Sequence, residues 1–165
     1  MTLPKRKHLT RLRELFRLSV GEVYLLTINS ADRRPICAEP DRAHVAVETL
    51  ADYAARHGYE VLLYTIMPDH VHAVVAACDN ASGLSEFVNR WKTWCMRKLR
   101  DTGIEGKIWQ KEFFDHRIRS EASLGEKCEY VANNPVRAGL VERAEDWPYT
   151  GGVWWDEYLG RRREG

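Results

Sequence analysis

The chain has 165 residues and a formal net charge of +1, with 44% hydrophobic and 30% charged residues. This length suits one globular domain with a sizeable core, and the composition is that of a soluble protein. The longest apolar runs fall far short of the roughly 20 residues that span a bilayer, which excludes a membrane-spanning helix. Because no apolar segment follows the basic N-terminus, we expect a cytoplasmic protein.

Basic residues are concentrated at the two ends of the chain. Residues 1–20 form a predicted basic arm, and arginines at 161–163 lie in a predicted tail over residues 151–165. Such ends suit a polyanionic partner held by local patches, although solvated ends explain the charge equally well. The main domain is predicted between them, over residues 21–150.

The cysteines favour free thiols. They are widely separated, with no Cys-x-x-Cys pair, and stand at Cys37, Cys78, Cys95 and Cys128. In a chain without a secretion signal, buried free thiols are favoured over disulfides or a zinc knuckle.

Three short apolar runs in the first half of the chain predict strands bounded by polar turns. They cover residues 23–29, 61–67 and 71–77. Between the first two, Asp41 is placed to cap a helix that continues to about His57. A glycine directly after that histidine then ends the helix.

A second amphipathic helix is predicted after Ser82, which is placed to cap it. Apolar residues recur there at spacings of three and four, and this stripe is expected to pack on the core. Three arginines, at 90, 97 and 100, fall on the opposite side of the helix. An aromatic-rich extended segment over residues 109–118 predicts a fourth strand.

A last helix is predicted over about residues 121–133, just before Pro135. The order strand, helix, strand, strand, helix, strand is that of a ferredoxin-like split βαβ unit. We therefore expect an α+β sandwich with an antiparallel sheet, followed by a C-terminal helix. Because this fold hosts many unrelated functions, the function has to be argued from the site.

The segment Met67-Pro68-Asp69-His70-Val71-His72 places two histidines at the start of the third predicted strand. Successive strand residues point to opposite faces, so His70 and His72 share one face while Val71 points to the other. Two imidazoles fixed side by side form half of a metal site, although ordinary strand histidines explain the pair equally well. From the ligand type alone, zinc or another transition metal is favoured.

A further ligand and a reactive group are predicted near the last helix. Lys127, Tyr130 and Asn134 are spaced to share one helical face, although Pro135 disfavours helical backbone at Asn134. Asn134 would bring an amide oxygen to the metal, and Tyr130 would bring a hydroxyl to the group that the metal polarises. Lys127 is a candidate to favour the phenolate and Glu126 to accept its proton, while a solvated helix face explains both ordinarily.

Together with Tyr130-Val131-Ala132-Asn133-Asn134-Pro135-Val136-Arg137-Ala138-Gly139-Leu140-Val141, the histidine segment resembles the single-tyrosine HUH transposases, and most closely their REP-associated branch. The stretches 108–119 and Asp146-Trp147-Pro148-Tyr149 also look like this family. The resemblance covers about residues 23–150, and the ordered pair of motifs is specific.

The resemblance implies a ferredoxin-like fold and a strand transferase that acts on single-stranded, palindromic hairpin DNA, as a monomer or homodimer. It implies that His70, His72 and Asn134 bind Mg²⁺ or Mn²⁺. It also implies that Tyr130 attacks the DNA, leaving a 5′-phosphotyrosine link and a free 3′-hydroxyl. Many relatives have Asn where this chain has Asp69, which we interpret as tolerated variation.

Basic side chains are candidates to contact DNA phosphates, and an aromatic side chain is a candidate to stack on unpaired bases. Phe113 and Phe114 are alternative stacking residues, although most of these aromatics are expected in the core. The predicted DNA-binding residues are Arg90, Arg97, Arg100, Trp109, Arg117, Arg119, Lys127 and Arg137.

Two other functions fit the same residues. A domesticated, catalytically silent protein would bind hairpin DNA without cutting it, and the intact histidines, Tyr130 and Asn134 argue against that interpretation. A metal-dependent phosphodiesterase would use water in place of the Tyr130 hydroxyl.

Overall fold

A five-stranded antiparallel sheet is the centre of the computed structural model, which describes residues 22–160. The strand order is β4-β1-β3-β2-β5, and every neighbouring pair is antiparallel. The first four strands therefore have the ferredoxin-like arrangement, which confirms the predicted fold class. The strands are β1 (Val23–Asn29), β2 (Tyr59–Ile66), β3 (His70–Ala77), β4 (Phe114–Ile118) and β5 (Thr150–Gly151).

Helices cover both faces of this sheet and enclose two hydrophobic cores. Val71, Ala73 and Val75 of β3 belong to the core under α1 and α2. Val74 and Ala76 alternate with them and belong to the core under α3 and α5. The α-helices are α1 (Pro40–Arg56), α2 (Leu84–Arg100), α3 (Glu121–Ala132), α4 (Asn134–Arg137) and α5 (Val153–Tyr158).

The predicted core stripe of α2 is confirmed. Its residues Phe87, Val88, Trp91, Cys95 and Leu99 are all buried. The indole Nε1 of Trp91 donates to Thr49 of α1 at 3.0 Å, so the two helices are joined by a buried polar contact as well as by apolar packing.

The predicted N-caps of α1 and α2 are both wrong. Pro40 occupies the first turn of α1, where its missing N–H is not needed, so Glu39 rather than Asp41 is the N-cap. Gly83 is the N-cap of α2, because the Ser82 hydroxyl lies 2.9 Å from Nδ1 of His57 and is engaged there instead.

The fourth strand is shorter than predicted, and the C-terminal part contains more secondary structure than predicted. Residues 109–113 do not continue β4; Trp109 forms an isolated bridge with Ser30 instead. Residues 151–158, expected to begin a tail, complete the sheet edge and form α5, whose Trp154 and Trp155 are buried. The predicted basic arm at 1–20 and the arginines at 161–163 lie outside the described residues.

The cysteines are free, as predicted, and three of them are buried, with Cys78 exposed. Across residues 22–160, the structure contains no helix that combines the length and apolar character needed to cross a membrane.

Candidate active site

One row of side chains crosses the sheet beneath α3. Thr27 of β1 is paired with Phe114 and with His72, and Thr65 is paired with His72 and with Thr150. Directly opposed residues of neighbouring strands lie on the same face. The row therefore runs from a buried hydroxyl pair, with Thr65 and Thr150 oxygens 3.1 Å apart, to Phe114, which is 61% exposed.

His72 lies at the centre of this row and is buried. Its Nδ1 is 3.1 Å from the Thr27 hydroxyl. The pKa of His72 is lowered to about 4, chiefly by burial and also by neighbouring His70, while a backbone hydrogen bond with Leu26 opposes the shift. His72 is therefore neutral at physiological pH, which is the form of imidazole that binds metals.

His70 lies beside it, with the two ring centroids 4.7 Å apart. Nδ1 of His70 is 2.7 Å from one carboxylate oxygen of Asp69. The other oxygen of Asp69 accepts a hydrogen bond from Nε of Arg33 at 3.0 Å. Burial alone would raise the pKa of Asp69, but the hydrogen bonds from His70 and Arg33 outweigh burial and lower it. Asp69 is therefore an anion that contacts both groups.

The histidine pair has the hydrogen-bond pattern of metal-binding imidazoles. Such rings usually engage one nitrogen with a carboxylate or another oxygen and present the second nitrogen to the ion. Nδ1 of His70 and Nδ1 of His72 each have such an oxygen partner. The pair thus fits a divalent ion. Over the described residues, no three His, Cys, Asp or Glu side chains come together as a possible metal site, so a further ligand would be of another type.

Tyr130 projects from α3 toward the same pair. Its ring centroid is 6.0 Å from that of His72, and its side chain is 42% exposed. The apolar side of α3, which includes Leu124, Cys128 and Val131, is buried against the sheet and fixes the helix there. The guanidinium carbon of Arg137 lies 4.5 Å from the Tyr130 ring centroid. The Tyr130 ring therefore lies close to both the histidine pair and the Arg137 cation, and all of these residues belong to the same chain.

Asn134 is not part of the tyrosine helix. α3 ends at Ala132, Asn133 is its C-cap, and Asn134 begins α4 with Pro135 in the first turn. The break occurs where the proline was expected to disfavour a continuous helix. Lys127 remains on α3, one turn before Tyr130, and is partly buried.

The other predicted DNA-binding residues are spread over three regions. Arg90, Arg97 and Arg100 are exposed on α2, which packs on the sheet face away from Tyr130. Arg117 is exposed on β4, and Arg119 is exposed just after that strand. The structure therefore brings only Lys127 and Arg137, the remaining members of the set, near the tyrosine.

Trp109 corrects a prediction. It is 7% exposed, and its ring centroid lies 5.3 Å from that of Trp91 in the core. Its apolar ring is better buried there than in water, so it is not available to stack on a base. Phe114 is instead an exposed aromatic on the face of the histidines.

Arg33 and Thr27 contact the site and were not predicted. Thr27 reaches the site because β1 pairs with β3, and Arg33 reaches it through the turn after β1. No regular sequence spacing connects either residue to the histidines. The sequence analysis considered Asp69 only as a departure from the family pattern. Its position next to His70 could have indicated the contact between the two side chains.

Comparison with known proteins agrees with this geometry. Residues 21–134, more than half of the chain, match the family model described as "Transposase IS200 like". The chain is 27% identical over 133 residues to a REP-associated tyrosine transposase of Escherichia coli K12, covering 79% of this chain and 76% of that protein. It is 31% identical over 102 residues to a Haemophilus influenzae protein assigned to the same group, covering 56% of this chain. That match spans 58% of the Haemophilus relative's length.

Two solved structures share the fold. The structure of a REP-associated tyrosine transposase bound to a REP hairpin superposes with a TM-score of 0.70 at 18% identity, covering 99% of this chain and 89% of that chain. A Deinococcus radiodurans R1 protein assigned as a transposase superposes with a TM-score of 0.52 at 21% identity, covering 67% and 88% of the two chains. At these identities the likeness establishes the fold.

Proposed function

Because the chain belongs to the IS200-like transposase family, we propose that it cuts and rejoins single-stranded hairpin DNA through a covalent tyrosyl intermediate. The observation that carries this proposal is the position of Tyr130, with its ring centroid 6.0 Å from that of His72 and beneath the Arg137 guanidinium. A neighbour with the same fold was solved with a REP hairpin, which supports hairpin DNA as the substrate class.

In the proposed step, the Tyr130 oxygen attacks the phosphorus of one phosphodiester. The bond between phosphorus and the 3′ oxygen breaks, so that a 5′-phosphotyrosine link forms and the 3′ oxygen takes up a proton. The phenolic proton passes to a base, for which exposed Glu126, one turn earlier on α3, is a candidate. Because the link preserves the phosphodiester energy, attack by another 3′-hydroxyl reverses the step and joins strands.

We propose that His70, His72 and Asn134 hold Mg²⁺ or Mn²⁺ during this step. When bound, the ion would supply Lewis-acid stabilisation of the charge that develops on the phosphoryl oxygens. Arg137 adds a positive charge over the Tyr130 ring, and a cation near the reacting group favours the transition state. Imidazole ligands alone also suit zinc, and phosphoryl chemistry favours the harder ions.

We propose that the DNA strand passes along the exposed end of the row, at Phe114. Phe114 and His116 are exposed on β4, on the same face as His72, and Phe114 can stack on an unpaired base. We propose that Lys127, Arg137 and Arg119 contact nearby phosphates. Arg117 alternates with His116 along β4 and lies on the opposite face of the sheet, so it would contact DNA only around the sheet edge. The arginines of α2 would reach a more distant part of the hairpin.

A denaturing gel tests the covalent step. Hairpin oligonucleotides from palindromes flanking the gene, labelled at the 3′ end, are incubated with the protein and Mn²⁺. The wild type should give a labelled band at the protein's mass that survives SDS, and Tyr130→Phe should give none. Tyr53→Phe removes a hydroxyl from the opposite helical layer and should leave the band unchanged.

Three results would contradict the proposal in different ways. A band that persists in Tyr130→Phe would mean another nucleophile. Cleavage without any covalent band would point to water, and hairpin binding without cleavage would point to a silent DNA-binding protein.

A further inference from the structure

We infer that Asp69 and Arg33 are positioning residues for His70, which fix the nitrogen that this ring presents to a metal. The inference rests on the proposed function, since it takes the histidine pair as a metal site. It also gives a role to Asp69, which the sequence alone did not place in the site.

Asp69 bridges a ring and a cation with its two oxygens. Oδ1 lies 2.7 Å from Nδ1 of His70, and Oδ2 lies 3.0 Å from both Nε and Nη2 of Arg33. An ionised carboxylate only accepts hydrogen bonds, so Nδ1 of His70 must be the donor. A neutral His70 then carries its lone pair on Nε2, and Nε2 becomes its metal-binding atom.

Arg33 is held at its other end by the strand next to His70. Its Nη1 donates to Oδ1 of Asn29 at 2.9 Å, and Asn29 is the β1 residue paired with His70. The Asp69 carbonyl in turn accepts hydrogen bonds from the Ser30 amide at 3.0 Å and from the Ser30 hydroxyl at 2.9 Å. The carboxylate is therefore fixed through its side chain and its backbone.

The backbone at Arg33 is unusual in a way that serves this contact. Asp32 and Arg33 have φ angles of 53° and 54°, in the left-handed region that L-residues rarely adopt. Such conformations persist where surrounding contacts determine them, and they concentrate at functional sites. Here the two residues turn the chain so that the Arg33 side chain returns toward the start of β3.

An asparagine could not replace Asp69 fully. Its amide has one oxygen acceptor, so if that oxygen stays on Arg33 the amide NH₂ can only donate to Nδ1 of His70, which must then be the acceptor. The Asp69→Asn variant can therefore keep His70 protonated on Nδ1 only by giving up the Arg33 contact. The aspartate is thus matched to Arg33, and the two residues act as a pair.

Nitrogen-15 NMR of histidine-labelled, metal-free protein at about pH 8 tests the ring state directly, with His70→Gln assigning the signal. Wild-type His70 should be protonated on Nδ1, and Asp69→Ala should lose this preference. Mn²⁺ affinity, measured by EPR titration, should fall roughly 10- to 100-fold in Asp69→Ala. It should fall severalfold in Arg33→Met.

Asp146→Ala is the matched control, because Asp146 also accepts two hydrogen bonds from an arginine, Arg143, in a pair that includes neither histidine. It should change neither readout. A wild-type His70 protonated on Nε2, or an Mn²⁺ affinity unchanged in Asp69→Ala, would overturn the inference. So would an equal loss of affinity in Asp146→Ala.

The two proposals fail separately. If the tautomer and the Mn²⁺ affinity respond as expected but wild type forms no covalent DNA band, the positioning pair stands and the cleavage proposal fails. If the band depends on Tyr130 while Asp69→Ala leaves the tautomer and affinity unchanged, the positioning pair fails and the cleavage proposal stands.

Discussion

The guanidinium of Arg137 lies over the ring of Tyr130, with its carbon 4.5 Å from the ring centroid. The two residues belong to different helices, α4 and α3, and Asn133 forms the junction between them. This arrangement places a cation over the ring of the proposed nucleophile. The position of Arg137 therefore predicts a role in the reaction step as well as in DNA contact.

Arg137→Met should slow formation of the covalent band. Removing a buried catalytic donor often costs about 100-fold or more, but Arg137 is exposed and screened, so we expect a loss of roughly tenfold. Single-turnover rates at saturating DNA measure this. Arg137→Lys should recover part of the rate, and Arg56→Met, which removes an arginine 5.6 Å from the Tyr53 ring, should have no effect. An unchanged rate in Arg137→Met would remove this role.

Phe114→Ala should weaken binding of single-stranded DNA while leaving the fold intact. Stacking of a base on an aromatic ring is worth about 1–3 kcal/mol, so we expect the Kd to rise roughly 5- to 150-fold. The side chain is 61% exposed, so little core packing is lost. Fluorescence anisotropy with a labelled hairpin measures the Kd. Leu140→Ala, at another exposed apolar residue, is the control, and equal affinities in both variants would exclude stacking at Phe114.

Leu124→Ala should destabilise the protein through the attachment of the tyrosine helix. Leu124 is 4% exposed and packs in the core between α3 and the sheet. Truncating a buried leucine costs about 2–5 kcal/mol, since it removes apolar contacts and leaves a cavity. Urea unfolding measures the free energy change. Leu140→Ala, at a residue that is 44% exposed, should change it by no more than about 0.5 kcal/mol, and similar losses in both would mean that α3 is not held this way.

The elements that have a strong period were predicted from the sequence, and with them the positions of the histidine pair and Tyr130. Alternation along β3 was enough to put His70 and His72 on one face, and the spacing along α3 was enough to turn Tyr130 away from the apolar side. The proline after Asn134 also indicated where the tyrosine helix ends. These features depend on local geometry, which neighbouring residues determine.

The contacts that were not predicted from the sequence join residues that lie far apart along the chain. Arg33 reaches Asp69 only because β1 pairs with β3 and because the intervening turn adopts left-handed backbone. Trp109 lies in an aromatic-rich segment that looked like a strand, but its indole gains more by packing on Trp91 than by exposure on an edge. Ser82 had the right position for a cap, but the ring of His57 binds its hydroxyl.

His72 should make the stability of the metal-free protein depend on pH. Its pKa is lowered from 6.5 to about 4 in the folded state, chiefly by burial. Above about pH 6.5 the ring is neutral in both the folded and unfolded states and contributes no pH dependence. Between these two values the unfolded chain binds a proton that the folded chain excludes. The free energy of unfolding therefore falls as the pH falls, by up to about 3 kcal/mol near pH 4.

Comparison with His72→Gln isolates this effect from the other titrating groups. Urea unfolding with EDTA at pH 7, 6, 5 and 4 should show wild type losing its stability relative to His72→Gln as the solution becomes more acidic, because glutamine binds no proton. His116→Gln, which removes an exposed imidazole on β4, is the matched histidine control. A constant difference for His72→Gln would mean that the His72 ring takes up its proton equally in both states. The burial beneath α3 would then not exclude the charged form.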